Sequence, residues 1–140
     1  MRLIDVVECM AASDNVVRAG FTPKYKDIQT LTTMLTYNSA PADEQKMKPL
    51  KFKNCPYSTL YDPPIEEFSV VRTELNGQEE KMDGIHGPSI IIVTSGNGSM
   101  SGVGKELELK EGSVWFIGAG NEITLKSKGK MVTHRAFVEV

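Results

Sequence analysis

Four ionisable side chains, Glu8, Asp14, Arg18 and Lys24, fall inside the run Glu-Cys-Met-Ala-Ala-Ser-Asp-Asn-Val-Val-Arg-Ala-Gly-Phe-Thr-Pro-Lys, which otherwise reads as buried strand and tight turn. Unpaired charges are costly to bury, so charges placed in such a segment are paired or used. Arg18 carries a planar fork of donors that stays charged at any working pH, which suits a phosphate or an enediolate oxygen. Its plainer reading is a turn cap, or a structural partner of Glu8 or Asp14. Asp14 reads either as a pocket carboxylate that orients Arg18 or shuttles protons, or as an Asx-turn residue. Glu8 reads as an ion-pair partner or as a proton-handling group tuned by its apolar face. Lys24, a point charge, would steer and neutralise an anion rather than orient it; otherwise it is an ordinary surface lysine.

The elements around these residues are mostly β. Leu3 to Met10 alternates as a strand, with Glu8 on the face of Ile4, Val6 and Met10. Ser13-Asp14-Asn15 is turn chemistry, and Gly20 and Thr22-Pro23 punctuate the exit. Asp27 is placed as a helix N-cap, with Ile28, Leu31, Met34 and Leu35 at helical spacing. The helix is expected to end near Tyr37-Asn38 and to use that stripe for packing. Ser39 to Pro64 is polar and Pro-rich, an extended connector. Beyond it, Phe68 to Leu75 is a strand followed by the hairpin signal Asn76-Gly77. Ile90-Ile91-Ile92-Val93 reads as a central strand buried on both faces. Leu107 to Lys110, Ser113 to Ile117, Glu122 to Lys126 and Met131 to Val140 complete a set of short strands separated by Gly-rich turns. That spacing indicates an antiparallel β-sandwich or barrel.

Several other features have plain readings. His134 shares a strand face with Val132, Ala136 and Val138 and is expected as a neutral, hydrogen-bonded core residue, while His86 lies in an exposed loop. Neither has a second histidine at metal-ligand spacing, so no metal ligand is assigned. Trp115 and Phe116 read as sheet core. The glycines from Gly96 to Gly104 lack the following helix that a phosphate cradle needs. The lysines from Lys46 to Lys53 have no interleaved aromatic residues, and a formal net charge of −2 offers no basic block for nucleic acid. Cys9 and Cys55 fit no zinc or redox spacing; they suggest reduced cytosolic thiols, Cys9 as a small core residue. No leader-like or membrane-spanning apolar run occurs, so a soluble cytoplasmic protein without membrane partners is expected.

The segment Val6 to Lys24, with its Ser-Asp-Asn-Val-Val-Arg-Ala-Gly core, closely resembles the type I mannose-6-phosphate isomerases, or phosphomannose isomerases. Leu60 to Pro64, Phe116 to Gly118 and Arg135 to Glu139 are similar to later segments of the fungal members, and Gly96 to Gly120 resembles the second half of a cupin-type jelly roll. The resemblance implies interconversion of mannose 6-phosphate and fructose 6-phosphate, with zinc polarising the sugar oxygens as a proton moves through a cis-enediol. It also implies a role in GDP-mannose supply. Carried onto this sequence, Arg18 takes the active-site arginine's place, Asp14 and Glu8 orient it, and Lys24 helps hold the sugar phosphate.

Family members are about three times this length, which itself implies several domains. Their zinc ligands, a Gln, a Glu and two His, lie upstream of the Ser-Asp-Asn motif, so the resemblance implies zinc without supplying its ligands here. The expected organisation is 1–26 as a remnant of a preceding cupin domain, 27–64 as helix and connector, and 65–140 as a C-terminal cupin-like domain. Two functions stand side by side: the C-terminal portion of a zinc-dependent isomerase, inactive alone, or a non-catalytic cupin-like binding module. A fragment, a truncated gene model and an inactive paralogue all fit the sequence. A strand at Leu3 to Met10 without its barrel would add to the sandwich edge or mediate self-association.

Overall fold

The computed structural model describes residues 6–12 and 17–139. The chain divides into two units, Met10–Lys46 and a larger one formed by the rest. The described residues of the larger unit form ten antiparallel strands: β1 (Leu50–Phe52), β2 (Cys55–Tyr61), β3 (Ser69–Asn76), β4 (Glu79–Met82), β5 (Ser89–Ser95), β6 (Asn97–Gly102), β7 (Lys105–Lys110), β8 (Val114–Ile117), β9 (Ile123–Ser127) and β10 (Lys130–Phe137). They form a six-stranded sheet in the order β1-β2-β3-β10-β5-β8 and a four-stranded sheet in the order β4-β9-β6-β7. This is the expected mainly β, jelly-roll sandwich.

Two strand ribbons fold over from one sheet to the other. In the first, β3 pairs with β10 and its continuation β4 pairs with β9. In the second, β5 pairs with β8 and its continuation β6 pairs with β7. The Asn76-Gly77 signal, expected to close a hairpin, therefore sits at a corner. Gly77 takes a φ of 84° and its N–H donates to Ser127 Oγ (2.8 Å) and the Gly129 carbonyl (3.1 Å). The matching corner of the second ribbon is Gly96, at φ 77°, where a Cβ would lie 2.0 Å from the Lys130 carbonyl oxygen. Only glycine tolerates both that backbone region and that approach.

The connector expected over Ser39 to Pro64 instead supplies β1 and β2, so the six-stranded sheet begins at Leu50. Conversely, the expected strand over Leu3 to Met10 is absent where it can be seen. Residues 3–5 lie outside the described residues, and 6–10 pair in no ladder.

Between the sheets the core is aliphatic: Val71, Leu75, Ile91, Val93 and Met131 from one side meet Met82, Met100, Leu109, Ile123 and Leu125 from the other. One polar chain crosses it. Glu80 on β4, 3% exposed, accepts from the Tyr57 N–H (2.8 Å) and from the Ser58 hydroxyl, which accepts in turn from the Thr73 hydroxyl (2.7 Å). A single carboxylate thus ties the four-stranded sheet to β2 and β3 of the other.

The smaller unit holds one helix, α1 (Ile28–Met34), capped as expected by Asp27, whose carboxylate accepts from the Thr30 N–H (3.0 Å) and hydroxyl (2.8 Å). Those bonds hold its pKa below the usual carboxylate range. The helix stops at Met34 rather than near Tyr37, and none of its residues is buried, so the expected packing stripe stays open. Thr32 and Thr33 bond back to carbonyls of the preceding turn, which weakens helix propagation.

Glu80→Ala strands the Tyr57 N–H and the Ser58 hydroxyl in the core and should cost about 3 kcal/mol of unfolding free energy in urea titrations, whereas Glu79→Ala, on the exposed face of the same strand, should leave the midpoint unchanged. Gly96→Ala should cost about 3 kcal/mol, against about 1 kcal/mol for Gly104→Ala, which shares the positive φ but has open space around it.

Candidate functional site

The outer face of the six-stranded sheet carries a cluster of exposed apolar side chains. Ile90 on β5 is 52% exposed and pairs across the ladder with Phe116 on β8, 71% exposed; Ile92 pairs in the same way with Val114, 57% exposed. Phe116 was expected in the core and β5 was expected to be covered on both faces. Strand alternation turns Ile91, Val93, Trp115 and Ile117 inward instead, leaving their neighbours outside.

The same face continues into a groove of about 940 Å³, crossed by Val6, Val7 and Cys9 and floored by Val70, Ile92 and His134. Cys9, expected in the core, is half-exposed here, and partial burial pushes its thiol pKa up. Cys55 is the core cysteine; burial, with Glu80 and Asp83 adding to it, pushes its thiol to about 11, which removes it as a nucleophile at neutral pH.

His134 departs from its expected place. A register shift in the pairing of β10 with β5 falls between Val132 and Thr133. Thr133, Arg135 and Phe137 face the core, while His134 lies half-buried in the groove. Its Nδ1 lies 3.1 Å from the Thr94 hydroxyl, which donates to the Val132 carbonyl (3.3 Å). Burial first, and then the Arg72 guanidinium, hold its pKa below the usual value, so it is neutral and hydrogen-bonded as expected. Arg72 is itself paired with Glu74 (2.7 Å). The alternation of Val132, Ala136 and Val138 pointed to the wrong face of β10, and no local signal marks the inward turn of Arg135.

The chemistry-bearing run lies largely in the smaller unit. Arg18 is exposed and lines a shallow depression of about 290 Å³ with Tyr25, Asp27, Thr30, Leu31 and Met34. Lys24 is exposed; its own N–H donates to the Thr22 hydroxyl (3.3 Å) and its ammonium enters no ion pair among the described residues. Lys26 reaches the Gly20 carbonyl (2.8 Å), closing the turn that follows the arginine. Glu8 is exposed rather than buried among apolar neighbours, and Asp14 lies outside the described residues. The burial expected for Glu8 is therefore not seen, and the residues from 6 to 10 around it join no ladder.

Among the described residues no three His, Cys, Asp or Glu side chains are grouped to hold a metal. His86 is exposed and His134 spends Nδ1 on Thr94. These residues do not fit a zinc site. Among the described residues no helix is long and apolar enough to cross a membrane.

Comparison with known proteins assigns this arrangement. Residues 58–101 match the family model for the phosphomannose isomerase type I C-terminal region. The mannose-6-phosphate isomerase of Aspergillus fumigatus is 51% identical over 97% of this chain, which covers 33% of that protein. The enzyme of Saccharomyces cerevisiae is 48% identical over 96% of the chain and again 33% of the relative. The chain thus spans about a third of the length of the curated relatives it matches. Among solved structures, mannose 6-phosphate isomerase from Salmonella typhimurium, bound to fructose 6-phosphate and zinc, superposes with a TM-score of 0.73 at 29% identity, over 91% of this chain and 31% of that one. Sequence and fold agree: the chain belongs to the type I mannose-6-phosphate isomerase family, of which it represents a C-terminal portion.

Proposed function

We propose that this chain is the C-terminal module of a zinc-dependent mannose-6-phosphate isomerase, a cytoplasmic enzyme that interconverts mannose 6-phosphate and fructose 6-phosphate and feeds GDP-mannose synthesis. The observation that carries the proposal is near-half identity to named isomerases over almost the whole of this chain. In this reading Arg18 binds the sugar phosphate or steadies the enediolate, Asp14 and Glu8 orient it, and Lys24 adds a neutralising charge. The metal chemistry belongs to the polypeptide that relatives carry beyond this third. The outer face built from Ile90, Ile92, Val114 and Phe116 is where that polypeptide would pack, since β5 has the composition of a strand covered on both faces.

The exposure of Arg18 and Lys24 supports this division of labour, because two cations free of ion pairs among the described residues are available to an anion. The second reading, a non-catalytic cupin-like module, draws on the absence of a metal-holding group among the described residues. It applies to the isolated polypeptide.

A chimera in which these 140 residues replace the matching third of the Aspergillus fumigatus enzyme tests both readings. The chimera should turn over fructose 6-phosphate, and Arg18→Ala within it should lower kcat/KM by about 100-fold or more with an unchanged melting temperature. A folded but inactive chimera, or an Arg18→Ala variant with full turnover, would contradict the proposal.

Phe116→Glu separates the docking face from the fold. In the isolated chain it should leave the melting temperature unchanged, since the side chain meets water. In the chimera it should lower stability by about 2 kcal/mol, the cost of placing a charge in an apolar contact. Equal effects in both would mean that the face stays open.

A further inference from the structure

Arg135 is the largest fully buried side chain of the described residues, 1% exposed, at the middle of the six-stranded sheet. Its Nε–H donates to the Ser89 hydroxyl at 3.0 Å, and its Nη1 has no partner among the described residues. No carboxylate pairs with it among the described residues. Glu80, the buried carboxylate, is already engaged by Tyr57 and Ser58. Burial lowers the guanidinium's pKa to about 10, which still leaves it protonated at neutral pH. A buried cation that lacks a counter-charge is strongly unfavourable.

A second buried donor lies alongside. Trp115 Nε1 also has no partner among the described residues. Ile91 on β5 is the register partner of both Arg135 on one side and Trp115 on the other. With strands about 4.8 Å apart, the two backbones stand about 10 Å apart on the same inward face, within reach of two long side chains. The bond to Ser89 draws the guanidinium over β5, the strand that lies between β10 and β8. Ser89, Ile91 and Ile117 are buried on the same inward face, Ser89 being the register partner of Ile117, and the Cys55 thiol also lies near enough to influence the guanidinium.

Both orphan groups are pure donors: an indole N–H and a guanidinium N–H accept nothing. A water molecule would satisfy one bond at each without offsetting the charge, whereas an anion does both. We infer that the sandwich interior binds one small monovalent anion of halide size, held between Arg135 Nη1 and Trp115 Nε1. The site shares no residue with the proposed sugar-phosphate set and has no catalytic part. Its occupant is a structural counter-ion that allows a central strand to carry a buried arginine.

The test uses the full chain. Crystals grown in sodium bromide should give an anomalous peak in contact with both nitrogens. In solution, replacing gluconate by chloride at constant ionic strength should raise the melting temperature by about 3 °C. Trp115→Phe, which keeps the ring packing and removes the donor, should cut that rise by at least half. Arg135→Met should abolish it. A water in place of the bromide peak, or an identical chloride response in the wild type and Trp115→Phe, would overturn the inference. Trp115→Phe and the bromide crystals decide the matter even where Arg135→Met fails to fold.

Discussion

The last strand of this chain lies in the middle of its larger sheet. β10 pairs with β3 on one side along its full length and with β5 on the other. The six-stranded sheet cannot close until the C-terminal residues have found two partners that lie far upstream. Because β9 and β4 continue the same ribbon over the corner at Gly77, the four-stranded sheet inherits its placement from that pairing. Each face of β10 then has a different role. Arg135 and Phe137 point into the sandwich, and His134 points into the groove on the outer face. Non-local pairing of this kind is slow to form but defines register along the whole ribbon.

The two faces of the sheet have different chemistry. Inward, an aliphatic core is crossed by the Thr73–Ser58–Glu80 chain and by Arg135, polar groups that specify which sheet meets which. Outward, Ile90, Val114 and Phe116 leave apolar surface that a monomeric domain of this size normally covers. The larger sheet thus has one packed face and one open face. That fits a chain spanning about a third of its relatives' length.

Local signals were legible where the physics is local. The Asp27 cap needs only Thr30, three residues away, and β5, β7, β8 and β9 stand out as apolar runs between glycine turns. By contrast β6 (Asn97–Gly102), its glycines read as turns, was missed because its strand character comes from pairing with β7 and β9. The connector reading failed because Pro49 and Pro56 mask strand composition, and prolines survive there at the outset of the short edge ladder between β1 and β2. Asn76-Gly77 has hairpin chemistry, but its partners are Ser127 and Gly129, so only the pairing of distant strands reveals a corner. The inward arginine had no signal at all, because its neighbours Val132, Ala136 and Val138 argue for the opposite face. Of the proposed site, Arg18 and Lys24 stood out through residue type and through the motif that contains them. The exposure of Glu8 was hidden, since the strand alternation that suggested an apolar face is not matched by any ladder over residues 6–10.

The central claim is that this chain supplies the arginine side of an isomerase site and receives its metal side from another polypeptide. Complementation in trans tests it most directly. The upstream two thirds of the Aspergillus fumigatus enzyme and this chain would be purified separately, mixed in the presence of zinc, and assayed with fructose 6-phosphate. The account predicts no turnover by either polypeptide alone and turnover that saturates as this chain is titrated in. Turnover by this chain alone with stoichiometric zinc would contradict it, as would a mixture in which the two associate and bind zinc yet remain inert.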